Sequence, residues 1–147
     1  MTISVLVVIL ISMETHTNRW TKSKTAIYNL GYHLIWCTKY RRKLLTNGID
    51  LRLKELLVYK ANALDCNIES MEIMPEHVHI FIKASPVHAP QFIVGQLKGY
   101  TSFNLRNEFP KLKTRVPSVW TRSYYAESVG HISSETIKRY IMDQKKK

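Results

Sequence analysis

At 147 residues, with 45% apolar and 22% charged side chains, the chain is long enough to bury a core and too apolar to be disordered. Its 22 Lys and Arg against 11 Asp and Glu leave a formal charge of +11, which favours a polyanionic partner, nucleic acid first; no long basic amphipathic helix supports an anionic membrane surface instead. Two cysteines, Cys37 and Cys66, make no Cys-x-x-Cys pair, exclude a disulfide framework and point to a reducing, cytoplasmic setting.

Residues 3–11 are apolar except for Ser4. That run is far short of the ~20 residues that span a bilayer. It also lacks the preceding basic residues of a signal peptide. It reads as an added edge strand, an interaction segment, or an upstream extension of a frame that starts at Met13. The last is favoured, because the charged and aromatic pattern begins only after Met13. Residues 1–22 are therefore set apart as an extension or lead-in, and 23–147 as one domain.

Residues 26–38 are aromatic and β-branched and read as a first strand. Tyr28, Leu30, Tyr32, Leu34 and Trp36 share one face, and His33 lies on the other. Lys39, Tyr40, Arg41, Arg42 and Lys43 follow directly, and Asn47-Gly48 marks a turn. From 50 to about 65 the period becomes helical, with Leu53, Leu56, Leu57 and Leu64 near one face. Residues 66–74 and 76–84 read as strands two and three around Pro75. Pro90 suits the first turn of a second helix, running to about 107. Pro110 and Pro117 bracket a basic loop, and 118–127 reads as strand four. Gly130 breaks the pattern. Ser133 is a plausible N-cap for a last helix that runs to the Lys145-Lys146-Lys147 tail. The order β-α-β-β-α-β plus a terminal helix predicts an α+β fold, the split βαβ or ferredoxin-like antiparallel sheet, with helices on one face.

The run Met-Pro-Glu-His-Val-His-Ile-Phe-Ile at 74–82, which leads into strand three, carries the chemistry. Alternation puts His77 and His79 side by side on the open face, while Val78, Ile80 and Ile82 point at the helices. Two parallel imidazoles on a rigid element are half of a metal site. The plain alternative is two histidines on an exposed strand with no ligand. On the last helix, Tyr140 and Gln144 are four apart and share a face. The His pair and Gln144 would hold a divalent cation, with Tyr140 aimed at whatever the cation holds. Against this, Tyr140 is one of eight tyrosines and sits beside the apolar Ile137 and Ile141.

Five segments carry a family resemblance. They are Tyr-His-Leu-Ile-Trp-Cys-Thr-Lys-Tyr-Arg-Arg at 32–42, Met-Pro-Glu-His-Val-His at 74–79, Leu97-Lys98-Gly99, residues 120–125, and Ile137-Lys138-Arg139-Tyr140-Ile141-x-x-Gln144. In that order they resemble the single-tyrosine HUH transposases of small bacterial and archaeal insertion sequences, REP-associated relatives included. Glu76 stands where Asp is more usual, and Met142-Asp143 fills the gap before Gln144. Neither departure removes a ligand or the nucleophile.

The resemblance implies a homodimer in which the tyrosine helices can be exchanged between subunits, with Gly130 where a hinge would be needed. It implies cleavage and rejoining of single-stranded DNA bearing hairpins near the element's ends, through a 5′-phosphotyrosine on Tyr140. His77, His79 and Gln144 would be the metal ligands, for Mg²⁺ or Mn²⁺ in use. Lys39, Tyr40, Arg41, Arg42, Lys43 and Lys98 would contact DNA, with Tyr40 able to stack on a base, and Lys111, Lys113 and Arg115 extend the basic set. Three rivals stand beside this reading. A domesticated relative would bind or nick hairpin DNA without moving an element. A non-catalytic nucleic-acid-binding module of the same fold would want stacking aromatics and an RNP1 run, which are absent. A zinc hydrolase would want a further ligand and a general base, and no His-Glu-x-x-His is present.

Overall fold

The computed structural model describes residues 21–129. Residues 1–20 of the N-terminal extension, Gly130, Ser133 and the predicted last helix with Tyr140 and Gln144 lie outside the described residues. A short antiparallel pair joins β1 (Thr21–Lys22) to β2 (Ile27–Tyr28). The main sheet follows: β3 (Gly31–Cys37), helix α1 (Ile49–Ala63), β4 (Asn67–Met74), β5 (His77–Lys83), helix α2 (Pro90–Glu108), the short helix α3 (Lys111–Arg115) and β6 (Tyr125–Ser128). Spatial order is β4-β5-β3-β6, with every neighbouring pair antiparallel. This is the split βαβ sheet that the order of predicted elements implies.

The two periodicities in the sequence build one core. Leu34 and Trp36 alternate along β3, and Val78, Ile80 and Ile82 along β5. The register sets Leu34 opposite Ile80 and Trp36 opposite Val78, so all five share one face. Against that face lie Leu53, Leu56, Leu57 and Ala61 of α1 and Ile93, Val94, Leu97 and Leu105 of α2, in a single buried cluster. These recur at the three- and four-residue spacing that makes a helix amphipathic. Trp120 caps the cluster, edge-on to Trp36 at 5.9 Å, and its indole N–H donates to Thr101 Oγ1 at 3.0 Å.

Three boundaries differ from the sequence reading. The first strand is broken, since β2 ends at Tyr28 and β3 begins at Gly31. The predicted strand over 118–127 is regular only in β6. Before that, Trp120 makes one bridge with Thr38, and the Thr121 N–H donates to Cys37 O. The Lys98 ammonium, reaching from α2, holds the carbonyls of Thr121 at 2.5 Å and Ser123 at 3.2 Å. The basic loop between Pro110 and Pro117 contains the helical turn α3. Among the described residues no helix is long and apolar enough to cross a membrane.

Candidate active site

Because Val78, Ile80 and Ile82 face the helices, His77 and His79 emerge on the opposite face of β5. Their rings tilt at 55° with centroids 4.9 Å apart. Glu76 Oε1 lies 2.9 Å from His77 Nδ1. A carboxylate can only accept, so Nδ1 carries the proton and Nε2 is the ring nitrogen left to meet a cation. Burial, then the neighbouring His77 and His33, push His79 down to about 4. At neutral pH its imidazole is uncharged and has a lone pair of its own. Two imidazoles on one rigid strand, one oriented from behind by a carboxylate, fit a divalent cation as two of its ligands. Among the described residues no group of three or more His, Cys, Asp and Glu has metal-holding geometry.

His33 of β3 closes the row. It is 6% exposed, and its ring stands edge-on to His79 with centroids 5.6 Å apart. Burial lowers its pKa against the pull of Glu127, which pairs with it from β6. Beyond it, the Phe81 ring lies over Gly31. A Cβ at that glycine would come within 2.9 Å of Phe81 Cε2, so the close approach requires glycine.

The basic turn meets the same end of the sheet. Cys37 pairs with His77 in the ladder, and the next residue, Thr38, donates its N–H to Glu76 O at 2.9 Å. Thr38 Oγ1 also reaches Glu76 O, and Arg42 O at 2.6 Å. The turn between is strained. Tyr40 and Arg41 have φ of 58° and 52°, a left-handed pair that costs roughly 1–2 kcal/mol per non-glycine residue. That backbone holds the Tyr40 ring in solvent, with Lys39 Nζ 5.4 Å and the Arg42 guanidinium 5.9 Å from its centroid. Arg41 and Lys43 are exposed beside it.

The structure thus brings His77, His79 and the residues 39–43 to one end of the sheet. Lys98 stands apart from the exposed set, since its ammonium is bound to two carbonyls and burial lowers its pKa. Sequence reasoning gives no role to His33, Glu76 or Glu127. Alternation puts His33 on the correct face, but its meeting with His79 depends on register between two strands more than 40 residues apart in the chain.

An α+β sheet of this order, with paired imidazoles on its open face beside a basic turn, is the architecture implied for the single-tyrosine HUH class. The family model described as transposase IS200 like matches residues 26–144, and the chain belongs to that family. It is similar to the ISDra2 transposase TnpA of Deinococcus radiodurans, at 34% identity over 125 residues, 84% of this chain and 89% of that protein. It is 28% identical over 123 residues to the transposase for insertion sequence element IS200 of Salmonella typhimurium, covering 80% of this chain and 78% of that one. A crystal structure of a transposase-type protein from Deinococcus radiodurans superposes with a TM-score of 0.70 at 32% identity, covering 84% of this chain and 97% of that chain. A REP-associated tyrosine transposase bound to a REP hairpin shares the fold, with a TM-score of 0.55 at 11% identity over 82% of this chain and 67% of that one.

Proposed function

We propose that this transposase cleaves and rejoins single-stranded DNA at hairpin-bearing element ends, using Tyr140 as nucleophile and His77, His79 and Gln144 as ligands for Mg²⁺ or Mn²⁺. The observation that carries the reading is the His77–His79 pair: two imidazoles, 4.9 Å apart, one held through Nδ1 by Glu76, beside a strained basic turn. A divalent cation bound there would polarise the scissile phosphate and offset charge in the transition state.

The chain's own residues would do the rest. The Tyr140 phenol, with an ordinary pKa of about 10, loses its proton and attacks phosphorus. The P–O3′ bond breaks, and the departing 3′ oxygen takes up a proton to become a free hydroxyl. The 5′ side stays on Tyr140 as a phosphodiester of similar energy, so rejoining needs no ATP. The cations of 39–43 would hold the strand, and Tyr40 would stack on a base. A homodimer with exchanged tyrosine helices would bring Tyr140 of one subunit to the imidazoles of the other. The hairpin carried by the REP-associated neighbour supports a hairpin as the DNA feature engaged.

The test is a covalent trap. Incubating the protein with Mn²⁺ and hairpin-bearing single-stranded DNA should give a denaturant-resistant adduct. Tyr140→Phe should abolish that adduct and keep hairpin binding. His77→Ala should cost cleavage hundreds-fold, ~2.7–4 kcal/mol, and cost binding much less. An adduct that survives Tyr140→Phe would overturn the assignment.

A further inference from the structure

A second feature of the surface lies off the imidazole face. Between residues 43–49 and 108–115 is an open cleft of about 370 Å³. Its volume is at the small end of the ~300–1,000 Å³ typical of small-ligand sites. Lys43, Lys111 and Arg115 line it, all three exposed. One carboxylate, Glu108, also lines it, and that group is already held by Arg52, whose Nε and Nη2 approach its oxygens at 2.9–3.1 Å. The cleft is therefore left with a cationic rim.

Its walls are of a different kind. Ile49, Phe109 and Pro110 present apolar surface above the buried Leu44 and Leu112. The Thr46 hydroxyl and the exposed Asn47 amide supply donors and acceptors at the edge. Asn47 is set by its left-handed φ of 53°, followed by Gly48 at 96°. Apolar walls, an amide and three cations together match a nucleotide: a base against the walls, its polar edge at the amide, phosphates at the rim. The cleft also joins the basic turn. Arg42 Nη1 donates to Arg115 O at 3.3 Å, so a strand lying on Tyr40 needs no gap in positive charge to reach α3.

We propose that this cleft is a separate single-stranded DNA subsite that seats one nucleotide of the strand and contacts its flanking phosphates through Lys43, Lys111 and Arg115. The proposal rests on the reading of the chain as a single-strand DNA enzyme. It adds a contact away from the scissile phosphate.

The experiment uses the full chain in EDTA, so that binding is read without cleavage, and a single-stranded hairpin oligonucleotide with iododeoxyuridine in its unpaired flank. Lys111→Gln/Arg115→Gln should weaken binding about tenfold or more. The slope of log affinity against log salt should flatten by ~1.4, the value for neutralising two fewer phosphates on a single strand. The control Lys22→Gln/Lys24→Gln, with the same charge change on exposed residues of the β1 hairpin, should move neither quantity as far. Ultraviolet crosslinks should map to peptides within 43–49 or 108–115. Wild-type binding that the α3 variant leaves unchanged, an equal loss in the control, or crosslinks only elsewhere would overturn the cleft and leave the proposed function standing. A wild-type chain that binds no such DNA would overturn both.

Discussion

His33 of β3 meets His79 of β5 edge to face, 5.6 Å between ring centroids, while His77 lies 4.9 Å from His79 on its other side. Burial lowers the pKa of His33, and burial with its two neighbours lowers that of His79 to about 4. In the unfolded chain both return to about 6.5. The unfolded state therefore binds protons first as pH falls, and the stability these rings contribute is complete above about 6.5 and declines below it, for His79 down to about 4. His33→Phe keeps a ring in the slot and removes one of the two groups. Urea midpoints measured from pH 7 to pH 4 should fall less steeply for the variant than for wild type. Parallel profiles would show that the pair does not titrate this way.

Within a strand, the phase of side chains is readable from sequence. Leu34 and Trp36 against His33, and Val78, Ile80 and Ile82 against His77 and His79, fall on the faces that alternation assigns. Relations between strands are not readable, because register is fixed by the packed sheet; His33 beside His79 is the case that matters most. The turn at Tyr40 and Arg41 is invisible for another reason. Neither residue favours a left-handed φ, and the conformation is imposed by the bonds from Thr38 to Glu76 and Arg42. The sequence places the start of β6 too early; in the structure the Thr121 carbonyl is held by Lys98, 23 residues away, a contact that spacing does not show. For Tyr140 and Gln144, sequence spacing and family membership remain the support.

Glu76 and His77 form the contact most specific to a metal role. The carboxylate 2.9 Å from Nδ1 fixes the orientation of the ring. Glu76→Ala should weaken Mn²⁺ binding ~10–100-fold, the usual cost of losing such a partner. Glu76→Asp, the more usual residue of the family at this position, should recover much of it. The measurement is adduct formation against Mn²⁺ concentration: the curve should shift to higher metal with its plateau largely kept. An unshifted curve would remove Glu76 from the metal's environment.

Thr101 and Trp120 tie α2 to the segment that brackets the basic turn. The indole N–H donates to Thr101 Oγ1 at 3.0 Å, and that hydroxyl donates to Leu97 O at 2.7 Å. Thr101 is wholly buried and Trp120 nearly so. Thr101→Val keeps the shape and strands the indole N–H, which costs about 1–3 kcal/mol. Denaturant unfolding should show the loss with the m-value unchanged. Thr101→Ser, which keeps the hydroxyl and removes a methyl group, should lose less.

Lys98 separates two roles that family motif and structure suggest for one residue. The motif around it places it among the DNA contacts; the structure shows its ammonium on the carbonyls of Thr121 and Ser123, with burial lowering its pKa. A charge held by two carbonyls positions a loop, and the loop it holds starts where Thr121 N–H meets Cys37 O, opposite His77 in the ladder. Lys98→Met keeps most of the stem and removes the donor. If positioning dominates, the variant should lose about 1–3 kcal/mol of stability, because the charged hydrogen bonds go. The salt dependence of DNA affinity should keep its wild-type slope. If Lys98 instead neutralises a phosphate, stability should hold and the slope should flatten by ~0.7, the share of one phosphate on a single strand. Thermal melts and a salt series on the same two proteins read both quantities, and the structure favours the first outcome.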